Sequence, residues 1–193
     1  MARKKEFDRE KVLGQAMETF WRYGYEGTSI QDLVQSMGIN RGSIYDTFKD
    51  KRSLFKAALV HYSDTFVSSM FAALRTPDAS KQEIIDLFYE LVEKAVIDSQ
   101  YKGCLITNSV VEIGHHDPEI AAHLAEEIKK VEELLYEVLV KAKKKGEIQA
   151  SQDPRALARH LLCSLKGLRV ISKINPDKEV LLDMVGVTLS ILE

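Results

Sequence analysis

A chain of 193 residues, 45% hydrophobic and 29% charged, has enough apolar material for a packed core and too much for a disordered or fibrous protein. Its formal charge of −2 hides an asymmetry: residues 1–55 carry ten Lys or Arg against eight Asp or Glu, and residues 56–193 carry seventeen against twenty-one, so only the first part suits an anionic partner. Cys104 and Cys163 form neither a disulfide framework nor a Cys-x-x-Cys metal pair, and no stretch has the length of a membrane span or the pattern of a secretory signal; a cytoplasmic protein with reduced thiols and no membrane partner is expected.

Apolar residues recur at helical spacing along nearly the whole chain, which predicts an all-α fold. About nine helices are expected, near 8–24, 29–36, 40–46, 50–75, 81–99, 103–115, 118–145, 154–172 and 176–192. In the first, Val12, Leu13, Ala16, Met17 and Phe20 form the apolar face, and Gly24 with Gly27 supports a turn after it. Thr28-Ser29-Ile30-Gln31 reads as a capping box in which Thr28 caps the second helix and Gln31 reaches back. Ile30, Leu33, Val34 and Met37 supply that helix's buried face. Gly38 tolerates a left-handed turn, Ile39 can plug the space between helices, and Asn40 can cap the third helix. That helix is very short. Ile44 and Phe48, four apart, anchor it inward and leave Arg41, Gly42, Ser43, Tyr45 and Asp46 facing out.

A short helix presented in this way can enter the major groove of DNA while its predecessor crosses the backbone. Gly42 lets the backbone approach closely. Arg41 can grip a guanine edge or a phosphate, and Ser43 and Tyr45 can bond phosphate or pack on a thymine methyl. Thr28 and Lys51, at helix starts, can reach phosphates, and Arg3, Lys4 and Lys5 read either as a basic arm or as a solvated tail. The bland reading of the whole segment is a three-helix structural subdomain.

Further along, Pro77 sits in a turn between two long helices. Asp117-Pro118, Asp153-Pro154 and Asn175-Pro176 each read as a cap followed by proline in the first turn, and Lys141 to Lys145 followed by Gly146 as a helix end. The helix from 103 mixes small, polar and apolar groups and puts Cys104, Asn108 and Glu112 on one face. With Phe66, Met70, Phe88 and Leu91 as apolar lining, it is a candidate wall for a pocket that holds an unidentified small-molecule effector; ordinary core packing is the other reading of each residue. Lys102 is the cation placed to stabilise a Cys104 thiolate. His115 and His116 point about 100° apart on a helix and read as a polar end, so no metal or other cofactor is expected. Leu161, Leu165 and Leu168 in one late helix, and Leu181, Met184, Val185 and Thr188 in the next, form broad faces that suit a four-helix bundle with a second copy, the alternative being an internal core.

The run from Thr28-Ser29-Ile30-Gln31-Asp32-Leu33 through Gly38-Ile39-Asn40-Arg41-Gly42-Ser43-Ile44-Tyr45 to Phe48-Lys49-Asp50-Lys51 resembles the DNA-binding domain of the tetracycline-repressor-like (TetR/AcrR) regulators over about a quarter of the chain. The resemblance implies DNA contacts from Thr28, Arg41, Ser43, Tyr45 and Lys51, a helix-turn-helix unit over residues 1–50, and an effector-binding and dimerisation domain over 51–193. It also implies a homodimeric repressor on palindromic double-stranded operator DNA, released by an inducer. Gly103-Cys104-Leu105 is similar to a branch of that family in which some members sense electrophiles or oxidants through the thiol. No nucleophile elbow, P-loop, zinc-protease motif or dinucleotide fingerprint suggests an enzyme. The rival expectation is a helical interaction protein that does not bind DNA.

Overall fold

A computed structural model describes residues 7–98, 100 and 102–193; Arg3, Lys4 and Lys5 lie outside them. The described residues are helical, with no strand among them. The longer helices are α1 (Arg9–Tyr23), α2 (Ile30–Met37), α3 (Arg41–Phe48) and α4 (Lys51–Tyr62), followed after a short α5 (Ser68–Met70) by α6 (Lys81–Ile97), α7 (Leu105–Ile113), α8 (Pro118–Lys144), α9 (Pro154–Ile171) and α10 (Lys178–Leu189). The single helix expected over 50–75 is instead divided. A π-helical segment, Ser63–Val67, separates α4 from α5, and a 3₁₀ turn follows at Ala73–Arg75. Thr65 lies in that segment and its hydroxyl donates to the His61 carbonyl at 2.6 Å, a side-chain bond that competes with the regular ladder and bends helices.

Caps explain most boundaries. Asp117 accepts from the N–H groups of Glu119 and Ile120, both at 3.1 Å, with Pro118 in the first turn, and Asp153 accepts from Arg155 N–H at 2.9 Å ahead of Pro154. At α10 the expected Asn175 cap is wrong by two residues: Asp177 accepts from Val180 N–H at 3.1 Å and the helix begins after it. α8 ends at Lys144, and Gly146, two residues on, turns the chain away with φ of 73°, close to where its glycine and lysines lead one to expect.

Two apolar clusters form the interior. One joins α1 to α4 through Phe20, Leu33, Ile44, Phe55 and Leu59, and takes in Leu105, Ile106 and Ile113 of α7 and Ile120 and Leu124 of α8. The other packs α6 against α8, α9 and α10 around Phe88, Leu91, Leu135, Leu161 and Leu181. Helix α8, 27 residues and so about 40 Å long, serves both clusters. Among the described residues no helix is long and apolar enough to cross a membrane.

Candidate nucleic-acid interface and effector cavity

The turn into α2 uses a different register from the one expected. Ser29 is the cap: its Oγ accepts Asp32 N–H at 3.1 Å, and the Asp32 carboxylate accepts Ser29 N–H at 2.8 Å. The Ser29 hydroxyl also donates to that carboxylate at 2.6 Å, and this bond with the N–H bond holds Asp32 below its usual carboxylate range. Thr28, assigned to a phosphate, is fully buried, and its hydroxyl donates to the Gly24 carbonyl at 2.6 Å. Its methyl and hydroxyl close the turn after α1, which removes the side chain from any DNA surface.

The rest of the expected reading face is in place. Asn40 caps α3 by accepting Ser43 N–H at 2.8 Å, and Ile44 and Phe48 are buried in the cluster beneath. Arg41 and Gly42 are exposed, and Ser43 and Tyr45 half-exposed. The Arg41 guanidinium lies over the Tyr45 ring at 5.5 Å and donates to its hydroxyl at 3.2 Å, so the two side chains hold each other at the outer surface. Lys51, in the first turn of α4, sits 4.4 Å over the Tyr25 ring. The pair α2 and α3 thus presents one short polar helix on an apolar base of α1 and α4, the arrangement that places a recognition helix in a groove.

Beyond the shared apolar cluster, polar contacts tie this unit to the rest of the molecule on two sides. Arg52 of α4 donates to Asp117 at 2.8 Å and to Glu119 at 2.7 Å, and Lys56 also donates to Glu119. Arg52 holds the Asp117 carboxyl far below its ordinary value, and Lys56 followed by Arg52 lowers Glu119. On the other side Glu112 of α7, expected in an effector site, accepts Tyr25 N–H at 3.0 Å and Glu26 N–H at 2.9 Å. Gly24 allows that approach: its φ is 77°, and a Cβ there would come within 2.7 Å of Glu112 Oε1. Glu112 is thus engaged at the joint between α7 and the turn after α1.

The effector residues expected from sequence therefore separate. Phe66 and Met70 line a cavity of about 480 Å³ together with Trp21, Thr65, Ser69, Lys94, Asp98, Lys102 and Arg169. Phe88 and Leu91 do not line it and are 1% exposed in the C-terminal core. Asn108 donates to the Lys102 carbonyl at 2.9 Å and, with Glu112, borders a separate groove of about 400 Å³. Cys104 is buried at the start of α7. Burial pushes its thiol up, but Lys166 and Arg169, with Thr107 alongside, outweigh that and leave it below the usual thiol range. Lys102 is not the stabilising cation; it pairs with Glu18 at 3.0 Å and lies 4.3 Å over the Trp21 ring. Trp21 and Arg169 were missed because each stands beside an apolar helical stripe and reads as part of it.

Five of the seven expected dimer residues turn inward instead. Leu161, Leu165, Leu168, Leu181 and Val185 are at most 3% exposed, packed inside the chain's own core, and Met184 and Thr188 are half-buried. The outward face of the same two helices carries Cys163, Gly167, Val170, Val180 and Val187, with Ile174 just beyond α9. Ile174 and Val187 are 84% and 76% exposed. Both faces are apolar at helical spacing, and periodicity alone cannot say which one turns inward.

Comparison with known proteins agrees with this geometry. The family model for bacterial regulatory proteins of the tetR family matches residues 12–58, and that for the tetracyclin repressor-like C-terminal domain matches residues 81–184. The HTH-type transcriptional regulator YezE of Bacillus subtilis (strain 168) is 41% identical over all of both chains. The HTH-type transcriptional repressor ComR of Escherichia coli (strain K12) is 30% identical, over 97% of this chain and 90% of its own. Among solved structures, a cysteine-substituted form of the TetR-family regulator CifR complexed with 26-base-pair double-strand operator DNA superposes with a TM-score of 0.86 at 29% identity, covering 99% of this chain and 100% of that one. With a recognition helix exposed on a helix-turn-helix base and both family domains matched, the chain belongs to the TetR family and is a DNA-binding transcriptional regulator.

Proposed function

We propose that the protein is a homodimeric repressor of a palindromic operator, cytoplasmic and without enzymatic activity, whose hold on DNA is switched by a small molecule in the cavity beside Trp21. Asn40, Arg41, Gly42, Ser43, Tyr45 and Lys51 make the DNA contacts. The observation that carries the switch is the origin of the cavity walls: Trp21 comes from α1 beneath the reading helix, while Lys94 and Arg169 come from α6 and α9. An occupant touches both parts and so favours one relative position over the other. Division into a DNA-reading unit over residues 1–50 and a regulatory unit over 51–193 is one of role, since the apolar cluster of α1 to α4 continues into α7 and α8. Pairing through Val170, Ile174, Val180 and Val187 would cover exposed apolar surface, and a palindromic operator requires the two α3 helices at the spacing of successive major grooves, about 34–36 Å.

Duplexes selected from a random pool supply the operator, and binding is then followed by fluorescence anisotropy at stepped salt. Lys51→Ala should weaken binding and reduce the salt slope by about one. Val187→Glu should convert the dimer to a monomer in sedimentation and weaken operator binding with it. An unchanged salt response in the first variant refutes the contact assignment, and a dimer that survives the second refutes the interface. A thiol-reactive effector is the second reading, favoured by the lowered Cys104 thiol. It requires an electrophile to release the wild-type protein from operator and to leave Cys104→Ser bound.

A further inference from the structure

The lining of the cavity of about 480 Å³ is of two kinds. One is aromatic. Trp21 and Phe66 meet edge to face with centroids 4.9 Å apart, Phe66 is 40% exposed, and Met70 continues the apolar wall. The rest of the lining is cationic: Lys94, Arg169 and Lys102, the last lying over the Trp21 ring itself, against the single carboxylate of Asp98. Neighbouring carboxylates neutralise part of that charge, since Glu90 pairs with Lys94 at 2.6 Å and Glu18 with Lys102 at 3.0 Å. Asp98 is occupied as well, accepting N–H bonds from Gln100 and Lys102 at 3.1 and 2.9 Å. Arg169 differs. It donates to the Gly103 carbonyl, and among the described residues no carboxylate pairs with it. A guanidinium has five N–H donors, so most of its capacity remains open at the cavity.

A second observation points to the same ligand chemistry. Trp21 is 7% exposed, and its indole N–H is buried without a hydrogen-bond acceptor. A buried donor left in that condition costs stability, and an oxygen acceptor that reached it from the cavity its side chain lines would relieve it. Aromatic walls, an arginine without a carboxylate and an orphan indole N–H together select a flat ring that carries an anionic oxygen group.

We infer that the effector is an aromatic carboxylic acid, its ring against Phe66 and Trp21 and its carboxylate on Arg169, with Lys102 as a second cation of the lining. This rests on the reading of the cavity as the regulatory site and goes further by naming the class of ligand. The geometry of a guanidinium fork favours a carboxylate over a compact spherical anion. The neutral amide of the same acid keeps the ring and loses the charge.

The test compares 1-naphthylacetate with 1-naphthylacetamide by calorimetry on the full chain, and phenylacetate with phenylacetamide by the fluorescence of Trp21, the chain's single tryptophan. Each acid should bind about tenfold or more tightly than its amide, the factor carried by one charge-assisted hydrogen bond. Arg169→Leu should remove that preference while amide binding persists, which also shows that the variant is folded; Lys102→Met should reduce it by a smaller factor. Equal affinity of acid and amide, no saturable binding of either acid, or a preference that survives Arg169→Leu overturns the inference. Operator affinity measured in parallel separates it from the broader reading. Acids that bind without altering operator affinity uphold the ligand class and sink the switch, whereas Met70→Trp, which narrows the cavity, should alter operator affinity whatever the acids do.

Discussion

Glu112 offers a direct measure of how firmly the DNA-reading unit is held. Its carboxylate accepts two backbone N–H bonds, from Tyr25 and Glu26, across 87 and 86 residues of sequence. A hydrogen bond to a charged group contributes about 1.5–3 kcal/mol when water is excluded. The Tyr25 bond is partly buried and counts near the lower end of that range, while the Glu26 N–H is exposed and returns to water at little cost. Glu112→Ala should therefore lower stability by about 2 kcal/mol, and Glu112→Gln, which keeps one acceptor oxygen and loses the charge, by about half of that. Urea unfolding gives the energies, and hydrogen exchange of the Tyr25 and Glu26 amides localises them. Gly24→Ala supplies an internal check, because its Cβ would displace the same carboxylate. The double variant Gly24→Ala with Glu112→Ala should cost less than the two single changes added together. Additive costs, or amide protection at Tyr25 and Glu26 unchanged by Glu112→Ala, would refute the reasoning.

Acid should act on the opposite joint. Asp117 and Glu119 have folded-state values depressed by Arg52 and Lys56, so their stabilisation is present above the ordinary carboxylate range near pH 4 and is lost as the pH falls below it. Arg52→Gln should thus flatten the decline of Tm below about pH 4, and parallel curves for variant and wild type would count against the ion pair. Between α3 and α4, Lys49 adopts φ of 71° and ψ of −56°, a strained γ-turn closed by Asp50 N–H donating to the Phe48 carbonyl at 2.9 Å. Lys49→Gly relieves about 1–3 kcal/mol of strain and adds about 0.5–1 kcal/mol of unfolded-chain entropy. A net gain of about 1 kcal/mol is expected in chemical denaturation, and a loss would show that the turn is unstrained.

What local chemistry dictates was legible before any coordinates. Ile44 and Phe48 are four residues apart, so one face of α3 had to turn inward, whereas Arg41, close to that face by spacing, stays exposed as the first residue of the helix. Asn40, Asp117 and Asp153 cap helices because each needs only neighbours a few residues away. Even so, adjacent Thr28 and Ser29 offered two capping registers, and burial of Thr28 beneath Gly24 made the choice. Tertiary structure alone decided everything that joins distant segments. Leu161 and Leu165 became core while Val170 and Ile174 stayed exposed, because the partner helices of α9 set its inward face. Glu112 went to the turn after α1, and Arg169 came to share a cavity with Trp21, since bonds spanning most of the chain leave no periodic trace in it. Helix type and end are written within a few residues; which of two apolar faces turns inward, and where an isolated charge lies, depend on what packs against it.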